Sequence, residues 1–591
     1  MLRTLSPLLL SFVVSGAALG AWHFQAPQEA EACGCFVPPD PTVPIVQAGE
    51  RILFGMKNGE VTAHIQVQYS GAASDFGWLL PMPSVPEMEL GSDELFAQLT
   101  AQTQPKYRLD REYLGNCPFD PSRFGQGGGA PSNDSAGGES GEGGGSPLVL
   151  RDTLGPYDYA VLRADAKQPM LDWLDENGFF VPAGTEDVVD TYIKPGAFFL
   201  ALKLQSGEDA GDIQPVVLKY QSDLPMIPII LTSVAADPDM GVQVWVLGDD
   251  RAIPRNYHHT RINDAAIDWI NAGANYAQVV TDAVDEIEGH HSFVTEYAGP
   301  SSIMGEILDY QGRFGQEAML AGNTDAIEFV QYLNNNGFPL FGGQGPNGFN
   351  PTFSPLILNI LQASLPVPAA LLEQGVTPSD YYWSIQYYLG SYREENPEQF
   401  SDLDVDFVAA DLARDLFERV VKPTLAAGSI IRDHDYLTRL FTTLSPNEMT
   451  KDPVFSFNPD LYDVSNTHSG KLVYHCQLRN NATAENTPAV LTTEQGFKIV
   501  YGDGVGESDS PDSPKPWSTV VMPQSSYQEI LREEGEPEVV VDNTDEIQSA
   551  LNEARGDRGG CSTGGRSGGT GALLLLALAF LGLNRRKEDL G

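Results

Sequence analysis

The sequence predicts an α+β protein: a mostly antiparallel sheet domain with few helices, then a predominantly helical region, then a short C-terminal transmembrane segment. Three observations carry that reading. Residues 213–220, 227–234 and 242–247 are short apolar runs separated by proline and aspartate clusters. Runs of this length, rich in valine and isoleucine and bounded by turn residues, read as strands. In the third run Val242, Val244 and Val246 alternate with Gln243, Trp245 and Leu247, so both faces are largely apolar and the strand belongs inside a sheet. From Asn263 the period changes. Ile267, Ile270, Ala274, Ala277, Val280, Val284 and Ile287 lie on one helical stripe, with Gly273 a candidate interruption. Finally, residues 572–583 are apolar all round and are followed by Arg585, Arg586 and Lys587. A run of that kind reads as a short membrane segment with a cytoplasmic basic end.

Taken in order, the chain opens with a signal peptide region, residues 1–32. Arg3 precedes an apolar run, and small residues follow near 18–21 and again at Ala30 and Ala32. Pro7, Ser11 and Ser15 interrupt the run, which is too short for a permanent membrane helix. Residues 33–260 read as a mainly β domain. Asn58-Gly59 between two strand patterns is a hairpin signal, because both residues tolerate positive φ. In the second strand Val61, Ala63, Ile65, Val67 and Tyr69 alternate with Thr62, His64, Gln66 and Gln68, one face dry and one wet. Further strands are expected at 76–82, 157–163 and 197–204. Helices are expected at 93–103, capped by Ser92, and at 169–177, stopped by Gly178. Residues 121–147 hold ten glycines in 27 positions and read as a disordered loop.

Residues 261–470 read as mainly helical, with helices at 324–334, 355–363, 402–421 and 436–444. Residues 471–558 form an acidic region of short strands, at 472–476 and 497–501, and loops; 507–558 reads as loose. The tail, 559–591, contains Cys561 in a glycine-rich spacer before the hydrophobic segment.

At 591 residues the chain exceeds one core, and a prior of roughly 150 residues per domain gives three or four units. The balance of 80 acidic against 35 basic residues, net charge −45, repels phosphate backbones and excludes nucleic acid as a partner. Acidity of this kind fits solubility in a salty external medium, with calcium-dependent folding as the sharper alternative. The best local calcium pattern, Asp402, Asp404 and Asp406, has no glycine at the sixth loop position and has Ala413 where an EF-hand has Glu. It reads as the acidic first turn of a helix. Export permits disulfides, and Cys33, Cys35, Cys117 and Cys476 are the candidates. A Cys33–Cys35 bridge would close a strained ring, so each of these two is expected to tie to Cys117 or Cys476. A metal or redox role for the Cys-x-Cys pair is the alternative, without a second closely spaced Cys or His cluster to support it.

A series of stretches in order then identifies a relative. GERILF at 49–54, VTAHIQVQY at 61–69, FGWLLPMPSVPE at 76–87, WLDENGFFVP at 173–182, GDIQPVVLKY at 211–220 and NYHH at 256–259 resemble the bacterial family called domain of unknown function 2330. The likeness runs from about residue 32 to 269. It implies no activity, since the family has none to carry over. The tail looks like the myxobacterial C-terminal sorting signal called MYXO-CTERM. That resemblance implies processing at Cys561 by a sorting protease and display on the outer cell surface, with Arg585, Arg586 and Lys587 as the basic stop.

Catalytic signatures are mostly absent: there is no G-x-S-x-G elbow, no H-E-x-x-H and no phosphate loop, and no cofactor is implied. His258-His259 and His290-His291 are adjacent pairs, expected at the surface or at helix ends because neighbours point apart. His64 is expected on the wet face of its strand. Asp433-His434-Asp435 reads as a polar helix start. Trp78, Trp173, Trp245 and Trp269 read as core. The expectation is an exported, surface-anchored protein of the binding or envelope-structural kind, leaning non-catalytic. The alternative is an envelope hydrolase with a site assembled from distant residues such as His64, Asp433 and His434.

Overall fold

A computed structural model describes residues 46–70, 77–116, 148–179, 186–205, 212–234, 236–344, 351–400, 407–478, 487–501 and 520–559. The signal peptide region, the glycine-rich loop, the 402–406 aspartates, Cys33, Cys35, Cys117 and the tail from 560 onwards lie outside the described residues.

Val46–Lys57 (β1) and Glu60–Ser70 (β2) form the expected hairpin. Asn58 and Gly59 take φ of 55° and 76°, the left-handed pair whose twist matches the flanking strands. Gly77–Met82 (β3) and Glu87–Leu90 (β4) precede the helix Asp93–Thr103, whose cap Ser92 accepts from the Leu95 amide. Lys106–Tyr113 (β5), Leu148–Leu154 (β6), Tyr157–Arg163 (β7), Phe198–Leu204 (β8) and Val216–Gln221 (β9) follow. Next come Ala236–Gly248 (β10), Arg251–Pro254 (β11), His258–Ile262 (β12) and Ser292–Pro300 (β13). Phe341–Gln344 (β14) and Pro351–Phe353 (β15) interrupt the helices. The last strands are Tyr436–Leu444 (β16), Phe455–Asn458 (β17), Thr467–Tyr474 (β18), Ala489–Thr492 (β19), Lys498–Tyr501 (β20), Ser525–Ile530 (β21) and Glu538–Asp542 (β22).

Ten of these make one mixed sheet in the order β22-β21-β12-β13-β16-β10-β1-β2-β9-β4. As expected, β10 is interior, parallel to β1 and antiparallel to β16, with Val242, Val244, Trp245, Val246 and Leu247 all buried. One core joins this sheet to a four-stranded sheet, β3-β8-β7-β6. A second four-stranded sheet, β20-β19-β18-β5, has its own core with Trp269 and Cys476. Helices between residues 311 and 421 bury a separate apolar cluster. Trp78, Trp173, Trp245 and Trp269 are all core. Among the described residues no helix is long and apolar enough to cross a membrane.

Four expectations are corrected. Residues 227–234 form the short helix Ile229–Thr232, not a strand. Pro225 and Pro228 have no N–H to give to a ladder. The 263–287 helix is confined to Tyr276–Asp285, because Ala272 and Gly273 take φ of 52° and 82°, and two left-handed residues end a right-handed helix. Residues 436–444 are β16, not a helix. Leu437, Leu440 and Leu444 mimic a helical stripe, but Thr438, Thr442 and Thr443 are buried as well, so both faces of a strand are covered. The stretch expected to be loose supplies β21, β22 and the helix Thr544–Gly559. The sheet also takes strands from both sides of the expected boundary at 260, since β13, β16, β21 and β22 join β1, β2 and β10.

Candidate functional site

The middle of the ten-stranded sheet carries charged side chains at positions where a strand face is covered. On β12, His259 lies directly opposite Phe293 of the parallel β13 and Glu529 of the antiparallel β21. Opposed residues share a face, so His259 and Glu529 meet. β13 then steps out of register. Thr295 pairs with Leu440 and Tyr297 with Arg439, leaving Glu296 as the extra residue of a bulge. A bulge re-aims side chains, and both Thr295 and Glu296 are buried.

His259 Nδ1 is 3.0 Å from Glu529 Oε2, and its Nε2 is 3.0 Å from Thr295 Oγ1. The three residues are 5%, 3% and 8% exposed. Arg251 Nη2 donates to the same Thr295 oxygen at 3.2 Å, and Nη1 donates to the Tyr462 carbonyl at 2.9 Å. Arg251 Nε is buried with no acceptor among the described residues. Burial lowers the His259 pKa despite the Glu529 carboxylate, so the ring is neutral near pH 7. Its one N–H therefore belongs on Nδ1, donated to Glu529, and Nε2 accepts from the Thr295 hydroxyl. Burial alone would raise Glu529, but His259 and Arg261 outweigh it and hold the carboxyl below its usual range.

This chain of contacts forms one wall of an open cleft of about 690 Å³, to which Tyr107, Asp264, Tyr276, Tyr462, His468 and Glu494 contribute. Tyr107 stacks on His468 at 4.9 Å and meets Trp269 edge-on at 5.0 Å. The stack depends on Gly273. A Cβ there would lie 2.4 Å from the Tyr107 ring. Asp264 Oδ1 has no partner among the described residues, and burial pushes its carboxyl up to about 6. Glu296 also lines the cleft, and from the layer beneath it Arg439 Nε donates to Glu296, Nη2 to Gln243 Oε1 at 2.8 Å, and Nη1 to Thr103 Oγ1 at 3.2 Å. The guanidinium lies 5.2 Å over the Trp245 ring.

The residues singled out by sequence lie elsewhere. His64 is buried, 3% exposed, rather than on a wet face; burial pushes it down to about 4, and its Nδ1 has no partner among the described residues. The helix Asp93–Thr103 lies over that face, where Asp93 accepts from Gln66, and makes it dry. His434 follows the end of the helix Lys422–Arg432, rather than starting one, and its ring nitrogens meet the carbonyls of Ile430 and Met56 at 2.8 and 3.2 Å. None of His64, Asp433 and His434 lines the cleft. His290 sits near a helix end, 3.0 Å from Asp285, and His291 packs on Tyr257. His259 departs from the surface expectation, because β21 and β13 cover it from both sides. NYHH was visible as a motif; Thr295 and Glu529 had no local signal at all. Cys476 is 1% exposed, in the core of the β20-β19-β18-β5 sheet, and the other candidate cysteines lie outside the described residues.

Residues 27–309 match the family model described as an uncharacterized protein conserved in bacteria (DUF2330). Arg251, His259 and Thr295 fall inside the matched part, and Glu529 outside it. No curated protein and no solved structure matches the chain.

Proposed function

We propose that the cleft is a hydrolytic acyl-transfer site in an exported envelope protein, the alternative of the two sequence expectations, assembled from other residues. The carrying observation is the unbroken Glu529–His259–Thr295 chain at 3.0 Å per link. Thr295 Oγ attacks the carbonyl carbon of an ester or amide, and its proton passes to His259 Nε2. Glu529 holds the imidazole in the accepting tautomer and offsets its positive charge. Arg251, on the cleft wall and bonded to the Thr295 oxygen through Nη2, is the cation beside the developing oxyanion. His259 then protonates the leaving group, and water releases the acyl group by the same route.

The test is labelling of the purified body with a fluorophosphonate, located by peptide mass spectrometry. A single adduct on Thr295, lost in His259→Gln and reduced about 100-fold or more in Glu529→Gln, is the expected result. An unlabelled Thr295 in folded protein, or equal labelling in the His259 variant, overturns the reading. The non-catalytic binding reading has its own support. Each side-chain nitrogen of His259 and the Thr295 hydroxyl is engaged within the protein, as in a clasp that ties β12, β13 and β21 together.

Export, surface anchoring and membrane contact through the tail belong to the same proposal. They are supported by the Arg3-led apolar run at one end and by Cys561, residues 572–583 and Arg585–Lys587 at the other. Oxidation of Cys33, Cys35, Cys117 and Cys476 belongs to it too. Cys561→Ala is expected to leave the full-length chain in the inner membrane. Intact-mass analysis of surface protein decides the point, because a mature chain that still ends in Arg585, Arg586 and Lys587 would make the tail a plain anchor.

A further inference from the structure

On the core side of the large sheet, where β1, β2 and β9 face β3, lies a second cavity, of about 140 Å³. Its walls are apolar: Ile52 and Phe54 from β1, Ile65 from β2, Leu80 and Met82 from β3, and Leu218 from β9. Glu50 alternates with Ile52 and Phe54 on β1 and therefore shares their face. It is 5% exposed, and its Oε2 has no hydrogen-bond partner among the described residues. Burial pushes its carboxyl up to about 7, and no charged neighbour contributes to that shift. The other titratable groups on the cavity are Tyr192, Lys194 and Tyr220. Tyr192 donates to Asp452 at 2.8 Å, Lys194 is exposed at the rim, and burial keeps the Tyr220 hydroxyl protonated.

A glutamate at such a position weakens a core that leucine or methionine would fill. Water is a poor partner for it, because a buried water needs two to four polar contacts and these walls are mostly carbon. A cavity of about 150 Å³ holds a benzene ring. We propose that this cavity binds a small apolar primary ammonium compound, its hydrocarbon body against Ile52, Phe54 and Leu80 and its N–H groups on Glu50 Oε2. The missing donor, the apolar walls and the volume each call for that class of ligand. The proposal is independent of the cleft chemistry.

Benzylamine is the probe, titrated calorimetrically at several pH values with toluene as the neutral control. A primary ammonium stays protonated between pH 6 and 8, whereas a carboxyl that titrates near 7 ionises there. Benzylammonium is therefore expected to bind about tenfold tighter at pH 8 than at pH 6 and more tightly than toluene. Glu50→Gln, which keeps the shape of the side chain, is expected to abolish the pH dependence and most of the affinity; its thermal transition at pH 6 verifies folding. Toluene binding as tightly as benzylammonium, benzylammonium affinity that falls as pH rises, or no heat in the wild type up to millimolar amine would each overturn the proposal.

Discussion

Replacing Arg439 by methionine is expected to lower the unfolding free energy by about 3–5 kcal/mol, the usual cost of removing one partner of a buried ion pair. Arg439 and Glu296 are 6% and 3% exposed, and the guanidinium also serves Gln243 and Thr103. Without it, the Glu296 carboxylate stays buried with neutral donors, the Gln243 amide and the Tyr276 hydroxyl, and no cation beside it among the described residues. The methionine chain refills the volume over Trp245, so the loss is electrostatic rather than a cavity effect. Changing Glu296→Gln in the same chain removes the stranded charge and should recover more than half of the loss. Urea denaturation followed by tryptophan fluorescence measures both, since Trp245 reports on this layer. A single-variant cost below about 1 kcal/mol would mean that water from the cleft solvates the Glu296 carboxylate.

Glu50→Gln is expected to make the protein more stable at high pH and to change little at low pH. The folded-state pKa of Glu50 is about 7, raised by burial from 4.5. Below the unfolded pKa the carboxyl is protonated in both states and costs nothing extra. Between about 4.5 and 7 the unfolded chain gives up its proton first, so stability falls as pH rises. Above 7 the full penalty, about 3 kcal/mol at 1.36 kcal/mol per pKa unit, stands. The difference between wild type and Glu50→Gln in unfolding free energy, measured from pH 4 to 8.5, should grow over that window and then level off. A flat difference would place Glu50 in water and remove the basis for its cavity as a ligand site. Bound benzylammonium should cancel much of the slope.

Local chemistry made several elements readable from sequence. Asn58-Gly59 tolerates two positive φ values, so the β1–β2 hairpin follows from four residues. Ser92 caps its helix through contacts within one turn. β10 is apolar on both faces, and its place inside the sheet follows from that alone. β16 shows where such reading stops. Leu437, Leu440 and Leu444 fit a helical period, and only β10 on one side and β13 on the other make a strand of them. Its partner residues are more than 130 positions away, and no window of sequence contains that information.

The candidate site divides the same way. From its sequence this protein determined a hairpin, a capped helix, a buried central strand, a strongly acidic surface and a conspicuous Tyr257-His258-His259 run. The tertiary structure alone decided that His259 is buried, that Glu529, 270 residues later, lies opposite it, and that pairing β12 with β13 brings Thr295 to the same ring. The physical reason is the range of the interactions. Turn, cap and alternation preferences act over a few residues, whereas burial, desolvation and charge pairing depend on which distant strand happens to cover a side chain.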